Sequence, residues 1–223
     1  ALIGFSVMTQ LLNGQAWNGY WETQRNFWWQ LSWRAPAIEK NTLVMGYLPP
    51  DFSFHEDYEI WGPINLIYQT KPISAPPIQA QILNLETVAY VADSELRKGN
   101  VRDIEVPRDY SKMVLIGQPF AGACLHTFDG VMPVYSSNEK QYVNEVANFS
   151  NLRLILTTGQ SSIPPRTIFG EEPEHEWCYY FQKASLARQQ GEWQEIVDIY
   201  DTTIAAGFKP VDASEYFVFV EGL

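Results

Sequence analysis

The sequence predicts an α+β fold: a mixed or mostly antiparallel sheet with an N-terminal aromatic helix and a C-terminal helical hairpin. Three observations predict it. Aromatic and apolar residues within 15–33 recur at three- and four-residue steps. Short apolar runs bounded by Gly and Pro crowd the segment 79–128. Two longer helical patterns occupy about 175–190 and 193–206. With 223 residues the chain can form one large domain with an appendage. The expected divisions are an apolar segment at 1–16, an α+β domain at 17–160 and a helical tail at 170–223 packed on it.

The first helix is the most distinctive element. Trp17, Tyr20, Trp21, Gln24, Phe27, Trp28 and Leu31 supply its periodicity, and Pro36 ends it. Five of the eight tryptophans (Trp17, Trp21, Trp28, Trp29 and Trp33) fall in this stretch. Indoles concentrate where one side of the ring is wet and the other apolar, as at a membrane interface. These five are therefore binding candidates. The preceding run ALIGFSVMTQLL is shorter than the roughly 20 residues that cross a bilayer. It lacks the basic flank and cleavage site of a signal peptide. It reads as the end of a membrane span or as a core segment, and the tryptophans that follow favour the span.

The remaining elements follow in order. TLVMGYLP (42–49) is a strand stopped by Pro49-Pro50. Residues 54–69 read as a helix interrupted by Gly62-Pro63, and 70–78 as a proline-rich connector. Strands are expected at 79–85, 87–92, 101–106, 112–117 and 123–128, paired as antiparallel neighbours because their connections are short. The expected turns include Lys98-Gly99-Asn100 and Pro107-Arg108-Asp109. Residues 142–158 hold one further helix or strand, and 159–175 a loop. Asp212 and Glu215 match a capping box opening a last short helix.

Charge excludes some functions. The net charge is −11, from 26 acidic and 15 basic residues, and no basic cluster occurs. Nucleic-acid binding and docking of the domain surface on an anionic leaflet are both disfavoured.

Chemistry-bearing residues are few. Both cysteines lie near a histidine, in Cys124-x-His126 on an expected strand and His175-x-x-Cys178 at an expected helix start. Each spacing puts its two side chains on one face. The four residues fit a Cys2His2 zinc site, a Cys124–Cys178 disulfide, or two buried thiols. No cofactor other than zinc is suggested. His175 also lies in the acidic run EEPEHE, which suits a solvated helix N-terminus or a carboxylate cation site. His126 and Asp129 could be paired as base and acid, yet Asp129-Gly130 also reads as a turn. Trp61, with Glu59 and Asn65, offers a sugar-stacking platform or a core contact. There is no G-x-S-x-G, Walker loop, G-x-G-x-x-G or H-E-x-x-H, so no catalytic residue is assigned.

Two resemblances add to this reading. YYFQKASLARQQGEWQEIVDIYDTTIAAGFKP resembles one tetratricopeptide unit. Tyr180, Ala184 and Ala187 stand at first-helix packing positions, Gly191 at the turn, Trp193 after it, and Ile196, Tyr200 and Thr203 on the second helix. A lone repeat needs neighbours to bury its faces, so it would either buttress the domain or bind a peptide. Three segments, WETQRNFWWQLSWRAP, IEVPRDYSKMVLIGQPFAGACLHTFDG and FGEEPEHEWCYYFQKASLARQQGEW, resemble the C-terminal extracytoplasmic domain of large, uncharacterised polytopic membrane proteins of bacteria. Some of those look like glycosyltransferases that use lipid-linked sugars. The resemblance implies an extracytoplasmic domain whose partner is the membrane portion of its own chain. A protein or glycan ligand is a further expectation. The expected function is a non-catalytic accessory or binding domain. The alternatives are the substrate-binding part of a membrane glycosyltransferase and a metal-dependent hydrolase.

Overall fold

The computed structural model describes residues 2–48, 54–69, 78–102, 104–132, 135–158 and 161–223. The chain opens with α1 (Leu2–Arg34), runs through a two-residue strand β1 (Ala37–Ile38), and enters β2 (Leu43–Tyr47). Next come α2 (Tyr58–Tyr68), β3 (Gln79–Ile82) and α3 (Leu85–Asp93). A hairpin of β4 (Leu96–Val101) and β5 (Ile104–Asp109) leads to β6 (Met113–Gly117) and β7 (His126–Phe128). Then follow α4 (Gln141–Ala147), β8 (Ile155–Leu156), α5 (Arg166–Phe169), α6 (Trp177–Gln190), α7 (Trp193–Ala205) and α8 (Phe217–Val220). The fold is α+β, with a C-terminal helical pair.

The central sheet has the order β3-β2-β6-β7. β2 pairs in parallel with both β3 and β6, and only β6 with β7 is antiparallel. The antiparallel pairing expected among the strands of 79–128 holds for β6 with β7, whereas β3 pairs in parallel with β2. The cause is α2, which makes β2-α2-β3 a crossover and so forces a parallel return. Every residue of β2 is buried, as befits a strand covered on both faces. Val44, Ala80, Val114 and Ile116 face α1 and α2, while Leu43, Met45, Met113 and Leu115 face α3 and α4. At Gly46 a Cβ would lie 2.6 Å from Ile60 Cδ1, so its absence lets α2 sit close on the sheet. A third cluster joins α6, α7 and α8 around Trp177, Ala184, Ala187, Ile196 and Phe219.

Three other expectations fail for physical reasons. TVAYVA (87–92) is helix α3. Asn84 accepts hydrogen bonds from the Glu86 and Thr87 amides, the Thr87 hydroxyl accepts one from the Asn84 backbone amide, and this capping box starts a helix before a strand can form. The hairpin turns after Val101, not at Lys98-Gly99-Asn100, Arg102 takes φ +46°, and Pro107-Arg108-Asp109, also expected as a turn, pairs with β4 inside β5. Gly99 serves close packing instead, since a Cβ there would overlap the Arg108 guanidinium. Asp212 caps Ser214, but the Glu215 side chain turns inward and does not complete the expected box. The connector expected at 70–78 lies, apart from Ile78, outside the described residues. The segment 142–158 contains both α4 and β8.

Candidate functional site

The helix α1 has two unlike halves. From Gly4 to Glu22 every side chain except Thr9 is exposed. The exposed set includes Phe5, Met8, Leu11, Leu12, Trp17 and Tyr20, and Trp17 is 71% exposed. No charged side chain precedes Glu22 in the sequence. At 3.6 residues per turn these apolar groups fall on every side of the helix, so the segment is not a surface amphipath. Its 19 residues from Gly4 to Glu22 extend about 28 Å. Among the described residues, no helix is long and apolar enough to cross a membrane. Where α1 meets the domain, Trp21 lines a shallow hollow with Pro63, Leu66 and Ile168. Leu66 and Ile168 are each 49% exposed, so an apolar collar surrounds the base of the projecting half.

From Phe27 to Arg34 every side chain is buried. Trp28 packs edge-on to Phe27 and Phe54 inside the main core. Trp29 donates to the Phe169 carbonyl at 3.3 Å, and Trp33 donates to Glu172 Oε1 at 2.9 Å. The five candidate tryptophans are thus divided: Trp17 and Trp21 face solvent, while Trp28, Trp29 and Trp33 are interior. Trp61 donates to Gln79 Oε1 at 3.2 Å, and Asn65 donates to the Trp61 and Ile78 carbonyls. These contacts place Trp61 and Asn65 against the start of β3, while Glu59 accepts from the His55 and Glu56 amides.

Cys124 and Cys178 form a disulfide with a Cα separation of 5.2 Å, tying the segment before β7 to the first turn of α6. The two histidines part company. His175 is at the surface, stacked on Tyr179 at 3.6 Å and hydrogen-bonded to Glu172 at 2.9 Å. That hydrogen bond helps hold the Glu172 carboxyl below its ordinary range against the opposing effect of burial. His126 is interior. The group of ligand atoms closest to a metal arrangement is Cys124, Cys178 and Glu215, within 4.8 Å of one another, and it includes neither histidine. In the disulfide neither sulfur is a thiolate, the form that binds metal.

Around His126 lies a buried acid cluster. Glu215 Oε1 is 3.7 Å from its Nε2 and Glu139 Oε1 is 3.8 Å from its Nδ1, with both carboxylates sealed from solvent. Glu215 accepts from the Cys124 amide at 2.7 Å and the Trp177 indole at 2.6 Å, so one side chain joins tail, disulfide and sheet. Neither Glu139 oxygen has a hydrogen-bond partner. Burial pushes the Glu139 carboxyl up to about 7, with His126 opposing the shift and Asp212 adding to it.

Asp129 does not pair with His126. It meets Arg188 at 2.7 Å and accepts from the Val131 and Met132 amides. Burial acts to raise its carboxyl, but these bonds hold it below the usual range. Arg34 donates to Thr127 at 2.9 Å, and burial pushes its guanidinium down to about 10. His126, Arg34, Tyr135 and Ser214 border a cavity of about 40 Å³, room for a few water molecules.

No family model matches this chain, and neither a curated protein nor a solved structure matches it. The geometry therefore carries the functional reading alone. Within the cluster, Glu215 joins three segments through the Cys124 amide and the Trp177 indole. Glu139, Glu215 and Arg34 were not singled out as site residues from the sequence. Glu215 carried only a helix-cap signal, and no local pattern marks a carboxylate that folding will bury.

Proposed function

We propose that this chain is a non-catalytic accessory or binding domain on the extracytoplasmic face of a bacterial membrane. The membrane portion of its own protein would carry it through α1. One observation carries the reading: a single helix exposes apolar side chains on every side where it projects, with no charge before Glu22, and is locked into the core where it enters. A helix apolar all round wants a surrounding that is not water. The projecting half is continuous with the buried half, so the tether is rigid. Trp17, Tyr20 and Trp21 then sit at interface level, and the collar of Leu66 and Ile168 lies just below them.

Two further features support it. The disulfide suits an oxidising compartment. The net charge of −11 keeps the domain body off an anionic surface, leaving contact to the helix. The tail reads as a buttress: α6 packs along α1 and is tied to the segment before β7 by the Cys124–Cys178 disulfide.

Flotation of the full chain with zwitterionic lipid vesicles tests the tether. The chain is expected to float with the vesicles, and a variant carrying Phe5→Ser, Met8→Ser, Leu12→Ser and Trp17→Ser is expected to stay in the aqueous fraction with an unchanged fold. A parent chain that stays monodisperse in water and ignores vesicles would refute the proposal.

A further inference from the structure

Where α1 enters the domain, a cleft of about 310 Å³ opens between the helix, the loop joining β6 to β7, and the first turn of α6. This volume is in the range of small-molecule sites. Two buried amides define its chemistry. Gln30 is 7% exposed, and its Oε1 accepts from the Leu125 amide at 2.8 Å and from Gln182 at 3.3 Å. That fixes the orientation of the amide, and among the described residues no hydrogen bond engages its Nε2. Gln118 is 6% exposed, and its Nε2 donates to the Ala123 carbonyl at 2.5 Å. Among the described residues no hydrogen bond engages its Oε1. One donor and one acceptor, each on a side chain more than nine-tenths buried, thus border the same space.

A hydroxyl group both donates and accepts, so this pair suits a hydroxylated ligand. The rim argues against an anion, which would meet Glu174 and Glu176, and an ammonium-type cation has no lone pair with which to accept from Gln30 Nε2. Trp33 and Trp177 also border the cleft. Their N–H groups are committed to Glu172 and Glu215, so they offer the ligand carbon surface.

We propose that the cleft binds a neutral polyhydroxylated ring, a single sugar unit, with Gln30 donating to and Gln118 accepting from its hydroxyls. The proposal extends the binding-domain reading and is independent of the membrane tether. Thr23 and Asn26, which also line the cleft, lie just past the exposed half of α1. The sugar can therefore come from solution or from a lipid headgroup.

The test follows the indole N–H signals of Trp33 and Trp177 by NMR. The full chain is held in lipid nanodiscs, or in buffer if it proves not to need lipid, so failure of the tether does not decide the outcome. Probes are the methyl glycosides of glucose, galactose and mannose, with tetramethylammonium and inorganic phosphate as charged comparisons. At least one glycoside is expected to shift both signals saturably. Ala121→Trp, which fills the cleft from an exposed loop position, is expected to weaken that binding about tenfold while the thermal melt is retained. If that variant does not fold, Asn26→Leu on the exposed rim replaces it. Competition by a glycolipid bearing the same sugar in the nanodisc would assign the headgroup as the source, and its failure to compete would assign a soluble sugar. Shifts with the charged probes alone, or with none, would overturn the proposal.

Discussion

The two halves of α1 are alike in sequence character and opposite in surroundings. Gly4 to Glu22 and Phe27 to Arg34 are both rich in large apolar side chains, yet the first projects and the second is the most buried segment of helix in the molecule's main core. The difference is supplied by partners. The segments leading into α2 and β7, together with α5 and α6, converge on the second half through Phe54, Leu125, Phe169 and Tyr179. Beyond Trp21 and Arg25, whose contacts reach Gly170 and Glu171, nothing in the described chain covers the helix. An indole is thus a core residue or an interface residue according to what lies opposite it, and its density in the sequence does not tell which.

Substitutions can break this comparison. The largest effect is expected at Trp28→Ala, which empties a fully enclosed site and should cost about 3–5 kcal/mol in denaturant unfolding. Next is the disulfide, which holds α6 against the buried half. Replacing Cys124 and Cys178 together by Ala should cost about 2–4 kcal/mol, read as a lower midpoint in urea.

Glu139→Gln should follow in size. The folded-state value of about 7 exceeds the ordinary 4.5, so the folded protein holds the proton more tightly than the unfolded chain. That contribution is intact below about pH 4.5 and is lost as pH rises through about 7. Its full size is on the order of 1–3 kcal/mol, reduced by the coupling to His126. The Gln variant should lose this slope and be the more stable protein above pH 7, as measured by unfolding across that range. A parallel pH dependence in parent and variant would assign the effect to another group. The smallest effect is expected at Trp17→Ala, below about 0.5 kcal/mol in unfolding, although its vesicle affinity should fall.

Much of the scaffold was legible in the chain. The three- and four-residue spacing marked α1, the unbroken apolar runs marked β2 and β6, and small residues with Gly191 marked the helical pair. The failures have local causes. At 87–92 a capping box at Asn84 outweighed a β-branched run, and at 98–100 a glycine needed for close packing mimicked a turn. The site was less legible. The disulfide was one of three open readings of two short Cys/His pairs, because pairing depends on where the tail folds back. Gln30 and Glu215 acquire their meaning from partners 38 to 152 residues away in sequence, and no window of adjacent residues contains that information.

Quenching of tryptophan fluorescence by brominated lipids tests the division of α1 most directly. Vesicle-bound parent protein should show partial quenching, and Trp17→Phe with Trp21→Phe should abolish it while the emission of Trp28, Trp29 and Trp33 persists. Quenching that survives the double substitution, or none in the parent, would contradict the assignment of the projecting half to lipid.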